Sequence, residues 1–82
     1  MASTGSSSSL DDTLDCRGLR CPLPVLKAEK RLAAMPAGAT LTVLATDPMA
    51  KIDIPLHCRQ NGHSCETTEA DGLLSFRLTK AS

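Results

Sequence analysis

Two prolines one residue apart, Pro22 and Pro24, close the stretch GLRCPLP at residues 18–24. Proline holds φ near about −65° and lacks a backbone N–H. A helix accepts it in the first turn, where N–H groups have no intrahelical partner. The pair therefore predicts a helix that starts with Pro22 at its first position and Cys21 at its N-cap. Gly18 supplies the turn before it. Cysteine is a weak N-cap; Ser, Thr, Asp or Asn would hold the helix end better. Its presence there points to a role other than stability.

Downstream of Pro22, the apolar residues Val25, Ala28, Leu32 and Met35 recur at helical spacing, which predicts one buried helix face. Lys27, Lys30 and Arg31 fall largely off that face, and MPAG at 35–38 ends the helix. Before the prolines, TLDC at 13–16 reads as a short strand. TLTVLAT at 40–46 alternates Leu41, Val43 and Ala45 against threonines, the pattern of a half-buried strand.

Asp47 followed by Pro48 marks a turn or a helix start. Pro55 argues against one unbroken helix from Pro48. A second helix is expected with Asp53 as its N-cap, Pro55 in its first turn and Gly62 just past its end. HSCETTE at 63–69 reads as a strand. EADG at 69–72 is a turn signal, and LLSFRLT at 73–79 alternates Leu74, Phe76 and Leu78 against polar neighbours. These last two strands form a hairpin.

The order is β-α-β-α-β-β, and each strand carries one apolar and one mostly polar face. An α+β fold follows: a two-layer sandwich in which two helices cover one face of a four-stranded mixed sheet. With 82 residues, 41% of them hydrophobic, the chain supports one small core. The expected organisation is a flexible Ser-rich tail over residues 1–11 and a single domain over 12–82.

Charge narrows the function classes. Nine basic and nine acidic residues give zero formal net charge, and Phe76 is the single aromatic. A chain without basic excess or stacking rings is a poor candidate for strong direct nucleic-acid binding. No apolar run is long enough to span a bilayer. MASTGSSSSL has neither the basic nor the apolar region of a secretory signal. A reducing, cytoplasmic setting is expected.

In such a setting the four cysteines, Cys16, Cys21, Cys58 and Cys65, read as free thiols, metal ligands or catalytic groups rather than disulfides. Structural zinc sites favour tighter ligand pairs than these, so no metal or other cofactor is expected. Cys21 stands out. Residues 17–31 hold Arg17, Arg20, Lys27, Lys30 and Arg31 against Glu29 alone. A helix N-terminus and basic neighbours both favour a thiolate, so a lowered pKa is expected at Cys21. A hydrolase would need a positioned base, and nothing in the spacing of His57 and His63 aims either at Cys21. A lone thiolate suits carriage of a reversible load such as persulfide sulfur. Cys16 reads as a strand-end residue filling space, Cys58 as a small buried residue, and Cys65 carries no functional signal. Asp47 and Asp53 read first as helix caps.

At LDCRGLRCPLPVLKA the sequence resembles the TusA/SirA-like sulfur-carrier proteins, whose signature runs from a short strand through Gly-Leu-x-Cys-Pro-x-Pro into a helix. The resemblance continues through MPAG, TDP, DIPLHCRQNGH and the closing hairpin, over about residues 12–80. It implies a two-layer α/β sandwich of the order just derived. It implies a carrier that accepts sulfane sulfur as a persulfide on Cys21 and relays it to a downstream acceptor, in tRNA thiolation, molybdenum-cofactor supply or sulfur oxidation. Implied partners are a cysteine desulfurase or rhodanese-like donor and an acceptor protein, with the chain itself a monomer. Gly18, Arg20, Pro22 and Pro24 are expected to support the cysteine, the basic cluster predicts that Arg17, Arg20 and Lys27 meet partners, and the resemblance implies that Asp15 fixes the loop by bonding backbone N–H groups. Cys16 departs from the family pattern, which has a small non-cysteine residue there.

Two other classes stay open on sequence alone. One is a regulatory or RNA-interacting module, which a strong salt-dependent RNA affinity would reveal. The other is a stand-alone thiol reductase or transferase, which would turn over a small substrate without a partner protein.

Overall fold

A computed structural model describes residues 11–81 of the chain, so the expected tail lies almost wholly outside the described residues. The elements are β1 (Asp11–Cys16), α1 (Leu23–Ala33), β2 (Thr40–Ala45), α2 (Ala50–Asn61), β3 (Ser64–Ala70) and β4 (Leu73–Thr79). The order is the expected β-α-β-α-β-β, and β1 begins two residues before the expected strand. The sheet runs β1-β2-β4-β3. β1 and β2 are parallel, while β4 is antiparallel to both β2 and β3.

Alternation explains which face is covered. Leu41, Val43 and Ala45 of β2 and Leu74, Phe76 and Leu78 of β4 are all buried, and they sit opposite one another in register. Cys16 of β1 joins the same layer, opposite Ala45. From above, α1 contributes Pro24, Ala28 and Leu32. α2 contributes Ala50, Ile54 and Cys58, four residues apart. Phe76 is the largest fully buried side chain and lies at the centre of this layer. Burying an aromatic or aliphatic side chain stabilises by about 1.5–3 kcal/mol each, so this set supplies most of the driving force. The other face of the sheet is largely Thr, Ser, Glu and Arg, such as Thr42, Glu66 and Arg77, which meet in one row.

The hairpin between β3 and β4 closes through Asp71 and Gly72, with φ values of 53° and 80°. Two consecutive left-handed residues make the primed turn whose twist matches the flanking strands.

Both helix starts differ from expectation. α1 begins at Leu23 with Pro22 as its N-cap, one residue later than predicted, and Pro24 occupies the first turn. Cys21 therefore lies in the turn preceding the helix instead of capping it. α2 begins at Ala50 with Met49 as N-cap and holds Pro55 inside. Asp53 is thus not a cap but a residue of the first turn. The helix survives Pro55 because only one backbone bond is lost, while the Ala50–Ile54–Cys58 stripe keeps its buried contacts. Asp47 does act at the entrance to α2: its Oδ1 accepts the N–H of Met49 at 3.1 Å.

Candidate functional site

The loop from Arg17 to Pro22 joins β1 to α1 and is tied down bond by bond. Asp15 Oδ1 accepts the backbone N–H of Arg17 at 3.0 Å, the role expected for Asp15. Thr46 Oγ1 accepts the N–H of Gly18 at 2.9 Å. The carbonyl of Cys16 accepts the N–H of Leu19 at 3.1 Å, and that of Arg20 accepts the N–H of Leu23 at 2.8 Å. Asp47 Oδ2 accepts the N–H of Cys21 at 2.5 Å. Gly18 has φ 81° and open space where a Cβ would stand, so the backbone conformation and not a clash calls for glycine. Pro22 follows through a cis peptide bond, and Pro24 is buried beneath the loop.

Cys21 is the exposed thiol among the four cysteines. Cys16 and Cys58 are buried, and Cys65 is intermediate. The Sγ–H of Cys21 donates to Oδ2 of Asp53 on α2. That bond, then lost hydration at the sulfur, then the charges of Asp53 and Asp47, push the thiol pKa up from its ordinary value. The expected lowering is overturned, for two physical reasons. The helix starts two residues beyond Cys21, so its positive end does not fall on the sulfur. Two of the nearby cations are also paired elsewhere. Arg17 pairs with Asp15 at 2.8 Å, and Arg31 pairs with Asp12. Arg20 acts on Asp47, and Lys27 and Arg31 act on Cys16.

Arg17, Arg20 and Lys27, expected to meet partners, are all exposed. Arg17 and Arg20 lie in the loop itself. Lys27 lies farther along α1, in a shallow groove with Leu14, Lys30, Arg31 and Ala34. Neither histidine hydrogen-bonds to Cys21. His57 lies against Asn61, and His63 Nδ1 accepts the N–H of Ala81 at 2.9 Å. Burial first, and neighbouring positive charge second, hold the His63 pKa down. Among the described residues, no three His, Cys, Asp or Glu side chains gather closely enough to hold a metal ion. No described helix is long and apolar enough to cross a membrane.

Sequence reasoning missed two features. Asp53 is a partner of the thiol. The second is a set of exposed apolar side chains: Leu23 and Leu26 on α1, and Met49, Ile52 and Leu56 on and beside α2. Ile52 is 60% exposed, too open for a core role. A sequence signal existed, since Met49, Ile52 and Leu56 repeat at helical spacing beside the buried Ala50–Ile54–Cys58 stripe.

The fold and the loop define a class: small α+β domains that present one anchored, exposed cysteine where the first strand meets the first helix. Residues 12–80 match the family model described as sulfurtransferase TusA, and the chain belongs to the TusA family of sulfur carriers. It is 51% identical over 66 residues to a putative sulfur carrier protein of Neisseria meningitidis, covering 79% of this chain and 89% of that one. It is 40% identical over 75 residues to the sulfur carrier protein TusA of Allochromatium vinosum, covering 90% and 99%. The crystal structure of a SirA-like protein from Desulfitobacterium hafniense superposes with a TM-score of 0.78 at 29% identity, over 87% of this chain and 99% of that one.

Proposed function

We propose that this protein carries sulfane sulfur as a persulfide on Cys21 and relays it between two partner proteins. The observation that supports this reading is the exposed Cys21 thiol on a loop whose N–H groups are bonded to Asp15, Thr46 and Asp47. A carrier has to offer one sulfur to two different active sites, and a fixed loop at the protein edge offers it in the same geometry each time. Gly18, Pro22 and Pro24 shape that loop, and Arg20 stands next to the sulfur. Arg17, Arg20 and Lys27 meet the partners, together with the exposed apolar side chains of α1 and α2. The donor is a cysteine desulfurase or a rhodanese-like protein. The acceptor feeds tRNA thiolation, molybdenum-cofactor supply or sulfur oxidation. The protein acts in the cytoplasm as a monomer, and residues 12–82 are its single working domain.

The test is loading by a cysteine desulfurase and free cysteine, read by intact mass. Wild type should gain sulfur. Cys21→Ser should gain none, while variants at Cys16, Cys58 and Cys65 should load as wild type does. A Cys21→Ser protein that loads like wild type would overturn the reading.

A further inference from the structure

Asp53 has no role in the loop's backbone bonding, yet it reaches the sulfur. It stands half-buried in the first turn of α2, and its Oδ2 accepts the Cys21 Sγ–H. Of the other charged groups, Asp47 also opposes ionisation of the thiol, and among the described residues no cation hydrogen-bonds to the sulfur. From the β2–α2 loop comes Asp47, already holding the Cys21 N–H. Arg20, in Cys21's own loop, acts on Asp47, and Lys27 and Arg31 of α1 act on Cys16. A thiol facing two carboxylates is a poor nucleophile, because the thiolate is the reactive form. A carrier designed only for speed would not place a carboxylate there.

We propose that Asp53 is a positioning residue that holds the unloaded Cys21 sulfur as a hydrogen-bonded thiol, making the free carrier slow to react until a docked partner separates the two groups. The proposal rests on the reading of Cys21 as the carrier thiol. Loading then runs as follows. The Sγ–H bond of Cys21 opens and its sulfur attacks the outer sulfur of the donor's persulfide. A Cys21 Sγ–S bond forms and the donor's S–S bond breaks. The proton ends on the departing donor sulfur, so a thiol and a persulfide become a persulfide and a thiol. The transferred sulfur keeps its oxidation level, and no oxidant is needed. Outside a complex, the same hydrogen bond protects Cys21 from electrophiles and oxidants, which also attack thiolates.

The experiment is the rate of Cys21 alkylation by iodoacetamide against pH, read by mass spectrometry of the Cys21 peptide. Asp53→Asn keeps the shape and an acceptor oxygen but removes the charge. It should move the profile toward lower pH and raise the rate at pH 7 about three- to tenfold, since thiolate fraction changes about tenfold per pH unit of displacement. Asp47→Asn should move it less. A profile for Asp53→Asn that overlies wild type would overturn the proposal, because a purely structural role leaves the midpoint in place. Should Asp53→Asn fail to fold, native wild type is compared with wild type unfolded in urea. The native midpoint should be the higher, and an equal or lower one would overturn the proposal. Alkylation requires no sulfur loading, so this outcome stands apart from the Cys21→Ser loading test of the carrier reading.

Discussion

Asp47 accepts the backbone N–H of Cys21 with one carboxylate oxygen, at 2.5 Å, and that of Met49 with the other, at 3.1 Å. One side chain therefore ties the thiol loop to the start of α2. The sulfur of Cys21 and the carboxylate of Asp53 meet because the thiol loop and the start of α2 share this anchor.

Asp47→Ala should loosen the loop and leave the core intact. Hydrogen exchange at the Cys21 amide should speed up about tenfold or more, since that amide loses its acceptor while the sheet ladder is untouched. Amides of β2 and β4 should keep their protection. Unchanged exchange at Cys21 would mean that the loop holds its shape without Asp47.

The buried cysteines should be silent in the native protein. Burial first, then the charge and hydrogen bond of Cys65, push the Cys58 thiol up to about 12. Cys16 is also pushed up, chiefly by burial. At pH 8 a thiol reagent should modify Cys21 and Cys65 and spare Cys16 and Cys58 until the chain is unfolded. Labelling of Cys58 as fast as Cys65 would contradict the packing described for α2 and β3.

Asp15 gives a pH test. The hydrogen bond from the Arg17 side chain, and then that from its backbone N–H, lower the Asp15 carboxyl to about 2. A folded pKa below the unfolded one contributes stability that is present above the unfolded value, about 3.9, and lost as pH falls through the folded value. The contribution should therefore fade between about pH 4 and pH 2. An NMR titration of Asp15 should show a midpoint near 2. Arg17→Ala should move it upward only part of the way, because the backbone N–H remains. A wild-type midpoint near 4 would show that the Arg17 contact is not kept in solution.

Much of this architecture is legible in sequence, because alternation in β2 and β4 and the stripe from Ala28 to Leu32 are local patterns. Strand order is not legible: Leu41 and Leu78 carry no mark saying that they pair. The start of α2 misleads because Pro55 reads as a first-turn proline, whereas the buried Ala50, Ile54 and Cys58 carry the helix upstream of it. Misplacing that start hides the role of Asp53. Read as a cap, its carboxylate is spent on backbone; inside the helix it is free to meet a sulfur 32 residues away. The expected thiolate fails for a related reason. Five nearby cations can be counted along the chain, but the pairing of Arg17 with Asp15 and of Arg31 with Asp12 appears only in three dimensions.

Partner docking can be divided between charge and apolar contact. Charge reversal at Arg20 or Lys27 should slow sulfur transfer from the donor, and added salt should slow wild type likewise, since charge complementarity acts mainly on encounter rates. Stability should change by no more than about 0.5 kcal/mol, as for most surface substitutions. Transfer indifferent to both salt and charge reversal, yet slowed by Ile52→Ser, would assign docking to the exposed apolar side chains of α2.

The most direct measurement follows the sulfur itself. The protein is loaded by a cysteine desulfurase supplied with isotopically labelled cysteine, trapped with an alkylating agent, digested and mapped by mass spectrometry. A parallel sample receives an acceptor thiol before trapping. One labelled sulfur should appear on the Cys21 peptide and be gone from that peptide after the acceptor is added. Label on Cys65 in place of Cys21, or label on Cys21 that no acceptor removes, would contradict it.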